Sequence, residues 1–254
     1  SASKSRRVIR YDIILRQRPV YPEIAAQVVA FVESEKWDAN SRPFITMIDI
    51  GAGTVDVSFF SVEAMRGRKF RFFANKVSPN GVANLHRART AWLRTNLDEQ
   101  GVLTAELTRF LEEISKPTDG TVAIPELVQS YVIGIGVDDA QSIDTEFFEK
   151  RYRYQVFAEV INPVKQRRVP EGQHWKALPV FVCGGGSRMD FYAKIIQRLN
   201  NIQGINWLKA ERYRLTRPKK LEAPGLPDHE YDRLSVAYGL SLARSRLKCN
   251  THIC

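Results

Sequence analysis

Two short apolar runs pass directly into glycine-rich turns, and no other feature constrains the fold of this chain as strongly. Phe44 to Ile50 (FITMIDI) is almost continuously apolar, as a buried central strand would be, and it ends at Gly51-Ala52-Gly53-Thr54. Pro179 to Val182 (PVFV) is a second buried run, and Gly184-Gly185-Gly186 follows it almost at once. Two further strand-like runs stand beside the first: Val55 to Val62 (VDVSFFSV), which alternates at its start, and the aromatic-rich Phe70 to Val77 (FRFFANKV). Their short, glycine-bearing connections predict a meander of hairpins. Helices are predicted at Pro22 to Glu35, Asn84 to Asn96, Thr104 to Ser115, Asp144 to Ile161, Asp190 to Leu199 and Tyr231 to Leu247. Strands are predicted at Val8 to Leu15 and Leu127 to Val137, and Asn162-Pro163 is expected to end or kink its helix. Arg217 to Asp228 holds three prolines and reads as an irregular loop. The class is α/β.

Composition narrows the setting. With 254 residues, 44% hydrophobic and 26% charged, the chain is long enough for a substantial core and unlike a disordered, collagenous or membrane-spanning sequence. Its longest mostly apolar stretch, Ile24 to Val32, is interrupted by Gln27 and falls far short of the roughly 20 residues a bilayer needs. Nothing at the N-terminus reads as a secretory signal. Cys183, Cys249 and Cys254 are too few for a disulfide framework, so a reducing, cytoplasmic setting is expected. The tail Cys249, His252, Cys254 lacks a paired Cys-x-x-Cys and reads as an ordinary tail rather than a zinc site. The net charge of +10 favours phosphate-bearing partners. Its cations are spread over Lys4-Arg7, Arg66-Arg71, Lys165-Arg168 and Arg217-Lys220, so nucleic acid is permitted by charge rather than indicated by pattern.

The chemistry sits in the two loops. In Asp49-Ile50-Gly51-Ala52-Gly53-Thr54-Val55-Asp56, an acidic residue ends a buried strand, which calls for a cation or hydrogen-bond donors. The glycines let backbone N–H groups approach an anion, Thr54 adds a hydroxyl, and Asp56 can share a hydrated magnesium with Asp49. Cys183-Gly184-Gly185-Gly186-Ser187-Arg188 lies between a strand and a helix, where bare backbone seats phosphate or ribose. Either loop alone could equally be a turn required by sterics; the pairing is the signal. No Gly-Lys-Ser/Thr is present, so this is not a P-loop. Asp56 and Asp139 stand where Gly51-x-Gly53 and Gly134-x-Gly136 would need a third glycine for a dinucleotide fingerprint. Met189 replaces the closing glycine of a nucleophile elbow at Gly185-x-Ser187.

DIGAGTVDVS (Asp49 to Ser58) resembles the second phosphate motif of the DnaK-type heat-shock chaperones and their actin-like relatives. VCGGGSR (Val182 to Arg188) is similar to that family's adenosine motif, and VAYGLSLA (Val236 to Ala243) to the small-residue helix that closes its nucleotide-binding domain. PEIAAQVVAF (Pro22 to Phe31) resembles the helix between its two lobes, Asn80-Gly81 stands at its phosphate-approaching Gly-Gly turn, and FFEKR (Phe147 to Arg151) resembles the start of a helix in its second lobe. The resemblance implies a ribonuclease-H-like lobe, with a mixed five-stranded sheet flanked by helices and an inserted, mostly helical outer subdomain. Residues 1–43 would be a basic lead-in and interlobe helix, 44–97 and 179–254 the two parts of the lobe, and 98–178 the insertion.

The same resemblance implies ATP or ADP with magnesium as ligands. Gly51, Gly53, Thr54 and Gly81 would approach the phosphates, Asp49 and Asp56 would serve the hydrated magnesium and catalysis, and Gly184, Gly185, Gly186 and Arg188 would border the adenosine. Three departures bear on activity. No first lobe with its own phosphate loop precedes residue 44, so the chain looks like the second half of a longer ATPase, poorly active alone. Tyr21 stands where the family has a glutamate, and Arg233, beside Asp232, where it has an acid. The family's adenine-contacting basic helix has only Arg87, Arg89 and Arg94 as candidates. The alternative is a degenerate member of the fold that binds a protein partner whatever the nucleotide. His86 and His174 are expected to be structural or exposed, and Cys183 a buried small hydrophobe.

Overall fold

The computed structural model describes residues 26–27, 44–63, 69–116, 124–132, 142–167, 172–215, 217–218, 221–227, 231 and 234–241. The strand expected at Val8 to Leu15, most of the helix expected at Pro22 to Glu35, Tyr21, Gly134-x-Gly136, Asp232, Arg233 and the Cys249–Cys254 tail lie outside them.

Five strands form one mixed sheet in the order β3-β2-β1-β4-β5, flanked by helices. β1 (Phe44–Ile50) pairs antiparallel with β2 (Val55–Glu63), which pairs antiparallel with β3 (Lys69–Ser78). On its other side β1 runs parallel to β4 (Leu178–Cys183), and β4 parallel to β5 (Ala210–Tyr213). The apolar run of β1 thus occupies the centre of the sheet, where both faces are covered. Ile48, Ile50, Val55, Val57, Phe59, Val180 and Val182 face one core, and Ile45, Met47, Phe60, Val62, Phe181 and Cys183 face another. The four-residue β5 has too little pattern to be seen in the sequence. Asn200 ties it to the helix before it, donating to Ala210 O (3.0 Å) and accepting from Ala210 N (2.7 Å).

Helix α1 (Val82–Glu99) follows β3 and buries Leu85, Arg89, Leu93 and Leu97 along one stripe. Helix α2 (Ala105–Ser115) begins at Thr104, whose hydroxyl accepts from Leu107 N (3.2 Å) as an N-cap. The expected strand at Leu127 to Val137 is instead a single 3-10 turn over Val128–Tyr131 in its described part. The reason is spacing: at three residues per turn, Val128 and Tyr131 eclipse and both enter the core that holds Leu93, Leu97 and Leu111.

The expected helix at Asp144 to Ile161 is longer than its sequence boundary. We call it α3; it runs over 142–166, with α-helical ends (Ser142–Phe147, Asn162–Gln166) and wide π-helical turns between them (Phe148–Arg153, Gln155–Ile161). Phe148, Tyr152, Val156, Val160 and Val164 recur every four residues and are all buried. In a regular α-helix such a stripe drifts by about 40° per step. The wider turns rotate it the other way instead, and the stripe packs against the sheet as part of one core. They also explain why Pro163 does not end the helix: the switch back to the α register falls at the proline, where no N–H has to be placed. After β4, α4 (Asp190–Ala193) and α5 (Ile195–Asn200) replace the single helix expected there. Among the described residues, no helix is long and apolar enough to cross a membrane.

Tyr152 and Tyr192 are fully buried, with rings 5.0 Å apart, and burial pushes both phenols well above their ordinary range. The unfolded phenols titrate near pH 10. A raised folded pKa means the folded state holds these protons more tightly. Their contribution is complete below pH ~10 and is lost as pH rises through the folded values. Stability measured by urea unfolding is therefore expected to fall above pH ~10 by about 1.4 kcal/mol per pH unit for each tyrosine, and Tyr152→Phe to halve the slope due to the pair.

Candidate functional site at the end of the central strand

Both glycine loops converge on the C-terminal end of β1. Asp49 lies directly opposite Asp56 in the antiparallel ladder and beside Cys183 in the parallel one, so all three side chains share one face of the sheet. Two carboxylates directly opposite each other repel unless a cation or donors intervene. Gln27 supplies a donor: its Nε2 gives a hydrogen bond to Asp49 Oδ2 (2.5 Å), while its Oε1 accepts from Cys183 Sγ (3.2 Å).

The first loop is closed by Gly51 N donating to Thr54 O (2.9 Å). Its next three carbonyls turn to the start of α1. Gly51 O accepts from Val82 N (3.1 Å), Ala52 O from Ala83 N (2.7 Å), and Gly53 O from Gly81 N (3.3 Å) and from Asn84 Nδ2 (2.5 Å). In a planar trans peptide the N–H points opposite the C=O. The amides of Ala52, Gly53 and Thr54 therefore face away from α1, on the exposed side of the loop. Three successive amides in a row form a concavity suited to an anion. Gly81 is buried beneath this loop, where a Cβ would lie 2.6 Å from Ala52 O and 2.7 Å from Gly51 O; it supports the loop from below.

The second loop meets the same strand end from the other side. Gly184 has φ +79, and a Cβ there would collide with Asp49 Oδ1 and lie 2.6 Å from Ile50 O. A Cβ on Gly186 would run into the Ile50 and Val82 side chains, whereas one on Gly185 would meet nothing within 4 Å. Gly185–Arg188 forms a 3-10 turn with Arg188 exposed at its end. Behind Asp49, two helical segments cross in backbone contact: a Cβ on Gly239, in the segment 235–241, would overlap the Ala26 carbonyl. The Ala26 contact places Gln27 against Asp49.

All ten residues singled out in the two loops, the carboxylate pair and the supporting turn thus lie around one strand end. Three that act there were missed: Gln27, Asn80 and Asn84. Gln27 carried a signal as the lone polar interruption of an apolar run, and Asn80 as the first residue of the Asn80-Gly81 turn. Of the basic candidates for an adenine contact, Arg89 needs correction. Arg89 is fully buried and forks onto Asp144 through Nε and Nη2 (both 2.7 Å), with Pro125 O and Glu126 O as further acceptors. Burial alone would lower its pKa, but the hydrogen bonds and charge of Asp144 outweigh burial and raise it. Arg94 is exposed and pairs with Glu112 at 3.5 Å, and Arg87 donates to Ala83 O (3.3 Å). His86 is buried between Tyr131 OH (2.9 Å) and Ile114 O, a structural role as expected. Lys165 lies over the Trp175 and Trp207 rings, and Arg217 holds the carbonyls of Leu221 and Leu226, so two of the cationic clusters each commit a member to internal contacts. Among the described residues, no three His, Cys, Asp or Glu gather as a metal cage. No family model matches the chain, and no curated protein matches it.

Proposed function

We propose that this chain is an adenine-nucleotide-binding lobe of an actin-like or DnaK-like ATPase. The observation that carries the reading is the row of outward amides at Ala52, Gly53 and Thr54, set beside the Asp49–Asp56 pair at the strand end that the second glycine loop also meets. The sheet order, three antiparallel strands continued by two parallel ones, is compatible with the ribonuclease-H-like lobe of that class. On this reading Gly51, Gly53 and Thr54 hold the terminal phosphates, and Gly184, Gly185, Gly186 and Arg188 border the adenosine. The carboxylate pair fits hydrated magnesium, which takes one or two carboxylates and keeps several waters. When bound, the ion would neutralise phosphate charge. Without a second phosphate loop from a partner lobe, this chain is expected to turn over ATP slowly or not at all.

Thermal unfolding with Mg-ADP or Mg-ATP at about 100 times Kd should show a stabilisation of about 2.7 kcal/mol. For a chain of this size that is a rise in Tm of roughly 5–10 °C. Asp56→Ala should abolish the rise. A wild-type chain whose Tm is indifferent to both nucleotides would sink the proposal. It would favour the second reading, a partner-binding module that has lost nucleotide, for which one observation speaks: Asp49 Oδ2 is already engaged by Gln27.

A further inference from the structure

Gln155 lies in the middle of α3, far in sequence from either loop, yet its buried side-chain amide is fully employed beneath the first of them. Its Nε2 donates to Val55 O (2.7 Å), the residue that follows the loop, and to Lys76 O (3.0 Å) near the end of β3. Its Oε1 accepts from Asn80 Nδ2 (2.8 Å). Asn80 is gripped a second time, from the segment after the second loop, where Tyr192 OH donates to Asn80 O (2.7 Å). Asn80 precedes Gly81, and Gly81, Val82 and Ala83 hold the carbonyls of the first loop. One buried amide on α3 therefore fixes both the exit of the loop and the turn on which it rests.

We infer that Gln155 is a positioning residue for the anion-binding loop: through Asn80 and Val55 it fixes the direction of the Ala52–Thr54 amides, and so couples α3 to ligand affinity. A glutamine buried only for packing would need its polar atoms satisfied anywhere. Here all three bonds fall on the two chain segments that frame one loop. The consequence for nucleotide rests on the function proposed above; the consequence for loop order does not.

The test uses the full chain and compares Gln155→Met with Val160→Ala, a packing change four residues away from Val156 on the same helix stripe. Amide hydrogen exchange in the absence of ligand is read at Gly51, Gly81, Val82 and Ala83. Gln155→Met should accelerate exchange at these four by tenfold or more, while Val160→Ala lowers Tm without that local effect. If the four amides are unchanged in Gln155→Met, or respond equally in both variants, the positioning role is wrong. Mg-ADP affinity supplies the second readout. It should weaken about tenfold in Gln155→Met, and Asn80→Ala should add little further in that background, because the two residues act in series. An unchanged Kd in Gln155→Met, with the wild type binding, overturns the coupling to affinity. A wild type that binds no nucleotide overturns the proposed function instead, and the exchange rates still decide the role of Gln155.

Discussion

Arg89→Met is expected to lower the unfolding free energy by about 3–5 kcal/mol, the usual cost of removing one partner of a buried ion pair. In a chain of this size that is a fall in Tm of roughly 6–20 °C. The side chain of Arg89 is fully buried and that of Asp144 only 22% exposed, so the carboxylate left behind is poorly placed to recover its hydration. The carbonyls of Pro125 and Glu126 also lose their donors, and Phe191 loses the cation 5.7 Å from its ring centre. Arg89→Lys should recover little, because a point ammonium cannot match a fork of bonds in one plane. Replacing both partners, Arg89→Met with Asp144→Leu, should restore at least half of the loss, since no buried charge is then orphaned. Urea unfolding of these three variants and the wild type checks this. A cost below about 1 kcal/mol for Arg89→Met would contradict the buried geometry. The same series decides whether Arg89 belongs to an adenine contact. In that case Arg89→Met would weaken nucleotide binding at unchanged stability.

The parts of the fold that could be read in advance are those in which local pattern and tertiary role coincide. FITMIDI is apolar on both faces because β1 is central, and its glycine turn is short because β2 pairs with it directly. α1 shows its buried stripe at helical spacing, and α2 buries Leu111 with Leu107 and Ile114 half-buried beside it. The failures have physical causes too. Val128 and Tyr131 satisfy a strand pattern and a 3-10 turn equally well, and packing against α1 selected the turn. Pro163 breaks an α-helix but sits without conflict where wide turns revert to the α register. At the site, the loops and their carboxylates were legible because an acid that closes an apolar run just before paired glycines breaks the pattern of a buried strand. Gln27 showed only as a polar break in an apolar run, and Asn84 and Gln155 not at all: their contacts span 22, 31 and 100 residues, and a polar side chain on a helix does not name such a partner.

Gly184→Ala should separate the two loops and abolish any nucleotide-induced rise in Tm. Two effects add. At φ +79 a side chain is strained, at a cost of about 1–2 kcal/mol. The new methyl would also strike Asp49 Oδ1 and lie 2.6 Å from Ile50 O. The carbonyl cannot move without disturbing the central strand, and Asp49 is held by Gln27. The expected total is a loss of about 2–4 kcal/mol of stability, the range of an overpacked site with a strained backbone. Gly185→Ala is the matched control one residue away, where a methyl meets nothing within 4 Å and the backbone is not left-handed. It should change stability by less than about 0.5 kcal/mol. Equal behaviour of the two variants in thermal unfolding with and without Mg-ADP would mean that the second loop does not close against Asp49. Loss of the nucleotide response in Gly184→Ala alone, with a folded protein retained at low temperature, would tie ligand binding to the single contact that brings both loops to the same carboxylate.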